Sequence, residues 1–103
     1  MDRIDALRAQ LGGPRDGALL RYSLGAALLE AGEPTEAIAQ LRTAIEFDAK
    51  YSAAWKLLGR ARLQSGDQQA AADAWSRGIA IAEERGDVQA AKEMRVFLKR
   101  IGR

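Results

Sequence analysis

Two sets of basic side chains on predicted helices are spaced so that they could bind an acidic group. Lys56 and Arg60 lie four residues apart, so both emerge from one face of a helix. Lys92, Val96 and Lys99 form a similar stripe near the C-terminus. Like charges on one face destabilise a helix unless an anion neutralises them, so these stripes favour a partner with an acidic segment. The competing interpretation is that the long side chains cover apolar surface while their charges stay in water.

Enzymatic chemistry is disfavoured by the residue types that the chain lacks. The sequence contains no His and no Cys, so the commonest acid–base group, the thiol nucleophile and both favoured zinc ligands are missing. The serines have no imidazole to activate them. Glu83, Glu84 and Asp87 cluster at a predicted helix turn, where carboxylates usually have a structural role. We therefore predict a protein that is not an enzyme and binds no metal or cofactor.

The composition is typical of one small helical domain. Of 103 residues, 48% are hydrophobic but only 6% are aromatic, so the apolar residues are mainly Ala, Leu and Ile. No apolar run could span a membrane and no secretory signal is recognisable, so we expect a cytoplasmic protein with no membrane partner. Residues 1–50 carry six Lys and Arg against eight Asp and Glu, whereas residues 51–103 carry ten against six. The C-terminal half is therefore the basic one.

The chain repeats itself with a period of 34 residues, since Leu24-Gly25 recurs as Leu58-Gly59. The further matches at this offset are Ala27 with Ala61, Leu29 with Leu63, Gly32 with Gly66, Ala37 with Ala71 and Ile45 with Ile79. A fixed period of this size indicates stacked supersecondary units, which usually present a surface to another macromolecule.

Capping residues mark the ends of the predicted helices. Gly32 and Gly66 suit the left-handed conformation that follows a helix, and Pro34 suits the first turn of the next helix. The predicted N-caps are Asp16, Ser52, Asp67 and Asp87.

A further helix is predicted at each end of the chain, outside the repeat. In the opening segment, which Gly12-Gly13-Pro14 ends, the apolar positions are Ile4, Leu7 and Leu11. The predicted inward face of the last helix is Val88, Ala91, Met94, Leu98 and Ile101. Both helices are expected to cover apolar faces at the ends of the array.

Small residues inside the helices predict where the helices touch. Gly25 and Gly59 lie in mid-helix, where Gly costs about 1 kcal/mol relative to Ala. This cost at two equivalent points indicates that a neighbouring helix approaches closely, with Ala37 and Ala71 as the predicted partners. The aromatic residues predicted to pack in the core are Trp55, Trp75, Phe47 and Phe97.

The pattern resembles the tetratricopeptide repeat family, with two repeats. In the first repeat the residues that carry the resemblance are Leu24, Gly25, Leu28, Gly32, Ala37, Leu41 and Ala44. In the second they are Trp55, Leu58, Gly59, Gly66, Ala71, Trp75 and Gly78. The resemblance implies a single all-α domain over 1–103, an antiparallel helix-hairpin solenoid. Its parts would be a capping helix at 1–13, repeats at 18–51 and 52–85, and a capping helix at 87–101. Arg21 and Arg62 depart from the pattern, because the family usually has a large apolar or aromatic residue there.

In this family the first helix of each pair lines a concave groove, so the resemblance also implies a binding surface. The groove residues would be Tyr22, Ala26, Glu30, Lys56, Arg60, Gln64, Lys92, Val96 and Lys99, with Leu57 also projected onto this surface. The implied function is that of an adaptor, which would bind a protein or peptide with Tyr22 as an aromatic anchor.

Two other functions stay open. The basic C-terminal helix could bind nucleic acid, which we do not favour; the residues would be Lys92, Arg95, Lys99, Arg100 and Arg103. Imperfect capping helices could instead pair two copies, so the expected state is a monomer or a weak homodimer.

Overall fold

The two helices of each amphipathic pair are joined by a short turn, so the chain folds as a series of helix hairpins. The computed structural model describes residues 2–102 and has no strand in that range. The helices are α1 (Arg3–Arg8), α2 (Ala18–Glu30), α3 (Pro34–Phe47), α4 (Ser52–Gln64), α5 (Gln68–Arg85) and α6 (Val88–Arg100). The expected all-α, antiparallel helix-hairpin solenoid is confirmed.

The helices form two layers. α2 packs on α3 and α4 packs on α5, while α3–α4 and α5–α6 contacts join successive units. α2 also contacts α4, and α4 contacts α6, so these three helices lie side by side in one layer. α3 and α5 form the other layer. α1 packs on α2, with Ile4, Leu7 and Leu11 partly buried against the core.

The turns inside the two hairpins are alike because glycine occupies the same position in each. Gly32 has a φ of +79° and Gly66 a φ of +92°, a left-handed conformation that other residues rarely adopt. The backbone N–H of the residue after each glycine then bonds to a carbonyl in the last turn of the preceding helix. Glu33 donates to the Leu28 carbonyl at 2.9 Å, and Asp67 donates to the Arg62 carbonyl at 3.0 Å. Both predicted helix ends are confirmed.

Two of the four predicted N-caps are confirmed. The carboxylate of Asp67 accepts from the Ala70 N–H at 3.0 Å, and that of Asp87 accepts from the Ala90 N–H at 3.2 Å. Each satisfies a backbone donor that the first turn of a helix leaves without a partner.

The N-caps predicted at Asp16 and Ser52 are wrong, because both side chains bond elsewhere. α2 begins after Gly17, and the Asp16 carboxylate accepts two bonds of 2.8 Å from the Arg21 guanidinium. Arg21 and the Gly12 N–H hold the pKa of Asp16 well below its usual range. α4 has Tyr51 as its N-cap residue, and the Ser52 hydroxyl donates to Asp87 at 2.8 Å.

The predicted close approach at the mid-helix glycines is confirmed, but with different neighbours. A Cβ on Gly25 would lie 2.7 Å from Leu41 Cγ, and a Cβ on Gly59 would overlap the indole of Trp75. The predicted partner Ala37 offers only its carbonyl oxygen, 3.5 Å from the same Cβ position on Gly25. The space beside the two glycines is therefore filled by Leu41 and Trp75, each one helical turn after the predicted alanine.

Most predicted core residues are buried, and the exceptions lie at helix ends or between helices. Trp75 is fully buried and packs on Phe97 with ring centroids 5.1 Å apart. Val88 is 74% exposed because it is the first residue of α6, and Phe47 is 55% exposed as the last residue of α3. Trp55 is only half-buried. The predicted core position is wrong for Val88 and Phe47, whereas Trp55 packs against the core as predicted.

Candidate functional site

The main candidate site is a cavity of about 490 Å³ between α2 and α4, hereafter the α2–α4 cavity. It lies within the layer formed by the first helices of the hairpins. The residues that line it are Tyr22, Ala26, Leu29, Glu30, Leu57, Arg60, Leu63 and Gln64.

Helical periodicity explains why these side chains face the cavity. Leu24 and Leu28 of α2 are fully buried in the core, so residues on the other side of α2 face away from it. Ala26 and Glu30, one turn apart, lie on that outer side. The structure brings together six of the predicted groove residues: Tyr22, Ala26, Glu30, Leu57, Arg60 and Gln64.

Lys56 and Arg60 differ in their ion pairing. Lys56 Nζ lies 3.2 Å from Glu93 Oε1 on α6, so its charge is already neutralised within the chain. Arg60 is exposed and forms no ion pair or hydrogen bond with any side chain of residues 2–102. Lys56, although predicted for the groove, does not line the cavity, so the lining offers one cation, Arg60, which pairs with no acidic side chain of residues 2–102.

Glu30 supplies the opposite charge from the α2 side of the cavity. It is the last residue of α2, where a negative charge meets the negative end of the helix dipole. Among the described ion pairs of the chain, none includes Glu30. An anion-binding group on one wall thus faces a cation-binding group on the other.

Tyr22 is held by an aromatic neighbour. Its ring stacks on Tyr51 with centroids 5.0 Å apart and an interplanar angle of 27°. Burial raises the pKa of Tyr51, with smaller contributions from Tyr22 and Asp48. The stack joins α2 to the start of α4 and fixes the position of one cavity wall.

The three predicted groove residues on α6 do not line the cavity. Lys92, Val96 and Lys99 are exposed, whereas Glu93 of α6 pairs with Lys56 of α4. The proposed nucleic-acid stripe on α6 is interrupted, because Arg95 forms an ion pair with Glu83. Arg103 lies outside the described residues.

Sequence reasoning missed two leucines of the cavity wall, Leu29 and Leu63. They are the equivalent residues of the two repeats, 34 positions apart. Each follows a predicted groove residue by three positions, Ala26 and Arg60, so helical spacing could have identified them.

The described part of the chain has neither a cluster of metal ligands nor a membrane-spanning helix. Across residues 2–102, no three Asp or Glu side chains come together as metal ligands would. No helix in the same range combines the length and apolar character needed to cross a membrane.

Comparison with known proteins agrees with this architecture. The tetratricopeptide repeat family pattern matches residues 4–52 and 22–85. A TPR repeat-containing protein of Pseudomonas aeruginosa is 47% identical over 100 residues, which are 97% of this chain and 95% of that protein. A protein from Bordetella parapertussis, solved in solution, superposes with a TM-score of 0.86 at 41% identity, covering 97% of this chain and 87% of that one. Such repeats are generally protein-interaction modules and non-enzymatic scaffolds. The chain belongs to the tetratricopeptide repeat family.

Proposed function

We propose that this protein is a non-enzymatic adaptor that binds a peptide or protein segment in the α2–α4 cavity. The observation that carries the proposal is the lining of the cavity, which combines apolar side chains with Arg60 and Glu30, neither of which forms an ion pair within residues 2–102. Helices with a packed core already hold these groups in place, so little backbone ordering opposes binding.

The chemistry of the lining indicates the kind of segment that fits. Arg60 provides guanidinium donors for a carboxylate, whereas Glu30 accepts from an N–H group or a cation. Leu29 and Leu63 offer apolar surface between these charged ends. A segment with an apolar side chain, an acidic group near Arg60 and an N–H or basic group near Glu30 would satisfy all three.

The ends of the array support a role as a self-contained unit. We take α1 and α6 as the caps of the repeats at 18–51 and 52–85. α6 buries Ala91 and Met94 and carries exposed basic residues on its outer side, as a terminal cap requires. On this basis we expect a monomer or a weak homodimer.

Affinity capture with charge-reversed protein tests the proposal. Arg60→Glu should reduce recovery of the partner roughly fivefold or more, because it places like charges in the cavity. Reversal at Lys56 is less informative, since it would also break the ion pair with Glu93. Recoveries from an extract of the cells that express the protein are compared by quantitative mass spectrometry.

The matched control is Arg15→Glu, in the exposed loop between α1 and α2. It makes the same charge change away from the cavity and should retain the wild-type partners. Equal recovery by wild-type protein and Arg60→Glu would show that the cavity is not the binding surface.

A further inference from the structure

A second surface lies on the side of α4 that faces away from the α2–α4 cavity. It is bordered by α3, α4 and α5. Two adjoining cavities of about 220 and 300 Å³ share Trp55, Leu58 and Arg62 as lining residues. We call them together the α3–α5 cleft. Arg60 and Arg62 face different surfaces because two residues along a helix turn a side chain by about 200°.

Three arginines from three successive helices border the cleft. Arg42 comes from α3, Arg62 from α4 and Arg77 from α5. None of them forms an ion pair within residues 2–102. Guanidinium groups without counter-ions around one concavity are a site of positive potential.

The acidic neighbours of the cleft do not cancel this charge. Glu46 and Asp73 also border it, yet neither comes within ion-pair distance of an arginine in the described chain. Asp73 instead accepts a hydrogen bond from Gln69 at 3.0 Å. Three cations against two anions leave the cleft basic.

Trp55 gives the cleft an apolar floor. Its Nε1 donates to the Ala49 carbonyl at 2.9 Å, so the indole is satisfied and fixed while its ring stays half-exposed. The Arg77 guanidinium carbon lies 6.0 Å from the ring centroid, at the outer limit of a cation–π contact. An apolar side chain could lie against Trp55 and Leu58 with guanidinium groups on both sides.

From this arrangement we propose that the α3–α5 cleft binds an acidic segment of a partner protein in which an apolar side chain lies beside carboxylates. The carboxylates would bind the three arginines, and the apolar side chain would cover Trp55 and Leu58. This surface is separate from the α2–α4 cavity and does not depend on what that cavity binds.

The same observations argue against a nucleic-acid strand as the occupant. A strand carries one phosphate per nucleotide and needs a continuous basic track. Here Glu46 and Asp73 stand at the borders of the cleft and would repel phosphates that continue past the arginines. A short acidic segment has only a few carboxylates beside its apolar side chain, so its charge does not continue past the arginines.

A peptide titration followed by NMR tests the proposal with the full, ¹⁵N-labelled chain. The probe is the capped peptide Gly-Glu-Asp-Leu-Phe-Glu-Asp-Gly, and the control probe has Gln and Asn in place of its acids. We expect saturable shifts of the Trp55 indole N–H with the acidic peptide alone. The indole of the buried Trp75, bonded to the Lys56 carbonyl at 3.0 Å, serves as an internal reference.

An arginine away from both surfaces provides the matched control. Arg62→Gln should weaken binding at the Trp55 indole by about fivefold or more, whereas Arg15→Gln, in the exposed loop between α1 and α2, should leave that dissociation constant unchanged. An undisturbed Trp75 signal shows that each variant is folded. Should Arg62→Gln fail to fold, Arg42→Gln and Arg77→Gln at exposed positions are expected to weaken binding in the same way.

Several results would overturn the proposal. They are equal binding of the amide peptide, wild-type affinity in Arg62→Gln, or shifts confined to residues of the α2–α4 cavity. Two further results would assign the cleft to another occupant. One is tighter, strongly salt-dependent binding of a single-stranded oligonucleotide there. The other is a set of cleft shifts that appears on concentrating the protein alone, which would indicate a second copy.

Discussion

Gly25 and Gly59 occupy equivalent positions in the two hairpins, yet the side chains next to them differ in freedom. A Cβ on Gly25 would lie 2.7 Å from Cγ and 2.8 Å from Cδ2 of Leu41, an aliphatic side chain that can shift without losing a hydrogen bond. Beside Gly59 lies the flat indole of Trp75, whose Nε1 donates to the Lys56 carbonyl at 3.0 Å. The indole can move only by giving up this hydrogen bond.

Gly59→Ala is therefore expected to lower the free energy of unfolding by about 1–3 kcal/mol through overpacking. Gly25→Ala is the matched control, because its gain in helix propensity of about 1 kcal/mol offsets a milder clash. Urea unfolding followed by circular dichroism measures both. A Gly59→Ala protein as stable as the wild type would contradict the close approach.

At this scale, the sequence allowed prediction of local features and not of long-range partners. Spacing alone placed Lys56 and Arg60 on one side of α4. The neutralisation of Lys56 by Glu93 could not be seen, because these residues are 37 positions apart and meet only when α6 docks. The hydrogen bond between Ser52 and Asp87, 35 positions apart, could not be predicted either. It uses the Ser52 hydroxyl that was expected to cap α4.

At the scale of the helices, the 34-residue period holds for α2 through α5 and then fails. α4 begins 34 residues after α2, whereas α6 begins 36 residues after α4, from Ser52 to Val88. The cause is α5, which has 18 residues where α3 has 14. Groove positions could thus be predicted on α2 and α4 but not on α6.

One carboxylate joins two of these helices. Asp87 caps α6 through the Ala90 N–H and accepts from Ser52 in the first turn of α4 at 2.8 Å. The Ser52 hydroxyl, followed by the Ala90 N–H, holds the pKa of Asp87 below its ordinary value. The charged form of Asp87 is therefore favoured in the folded protein.

This depressed pKa predicts the pH dependence of an Asp87→Asn protein. The wild type should be more stable by about 0.5–1 kcal/mol at neutral pH, because a charged acceptor bonds more strongly than an amide. That contribution is fully present above the unfolded pKa of about 3.9 and is lost as the pH falls through the lower folded pKa. Urea unfolding of both proteins from neutral to acid pH measures the difference.

Asp67→Asn is the control, since Asp67 caps α5 through Ala70 and its carboxylate bonds no other helix among the described residues. Its effect should be smaller. A difference between wild type and Asp87→Asn that stays constant through the acid range would refute the role assigned to the charge.

At the scale of the whole molecule, α4 separates two surfaces of different character. The α2–α4 cavity carries one uncompensated charge of each sign, Arg60 and Glu30, whereas the α3–α5 cleft is basic. Arg62, which departs from the usual repeat pattern, contributes to the second surface. A layered helical array can thus present different chemistry on its two sides without changing its core.

Photo-crosslinking from within the α2–α4 cavity tests whether this cavity holds the partner. We would place p-benzoylphenylalanine at Gln64, an exposed lining residue, and as a control at Gln89, an exposed residue of α6 that borders neither surface. Irradiation of cells that express each protein should give a covalent partner adduct from position 64 and none from position 89. An adduct formed from position 89 and absent from position 64 would show that the partner binds elsewhere.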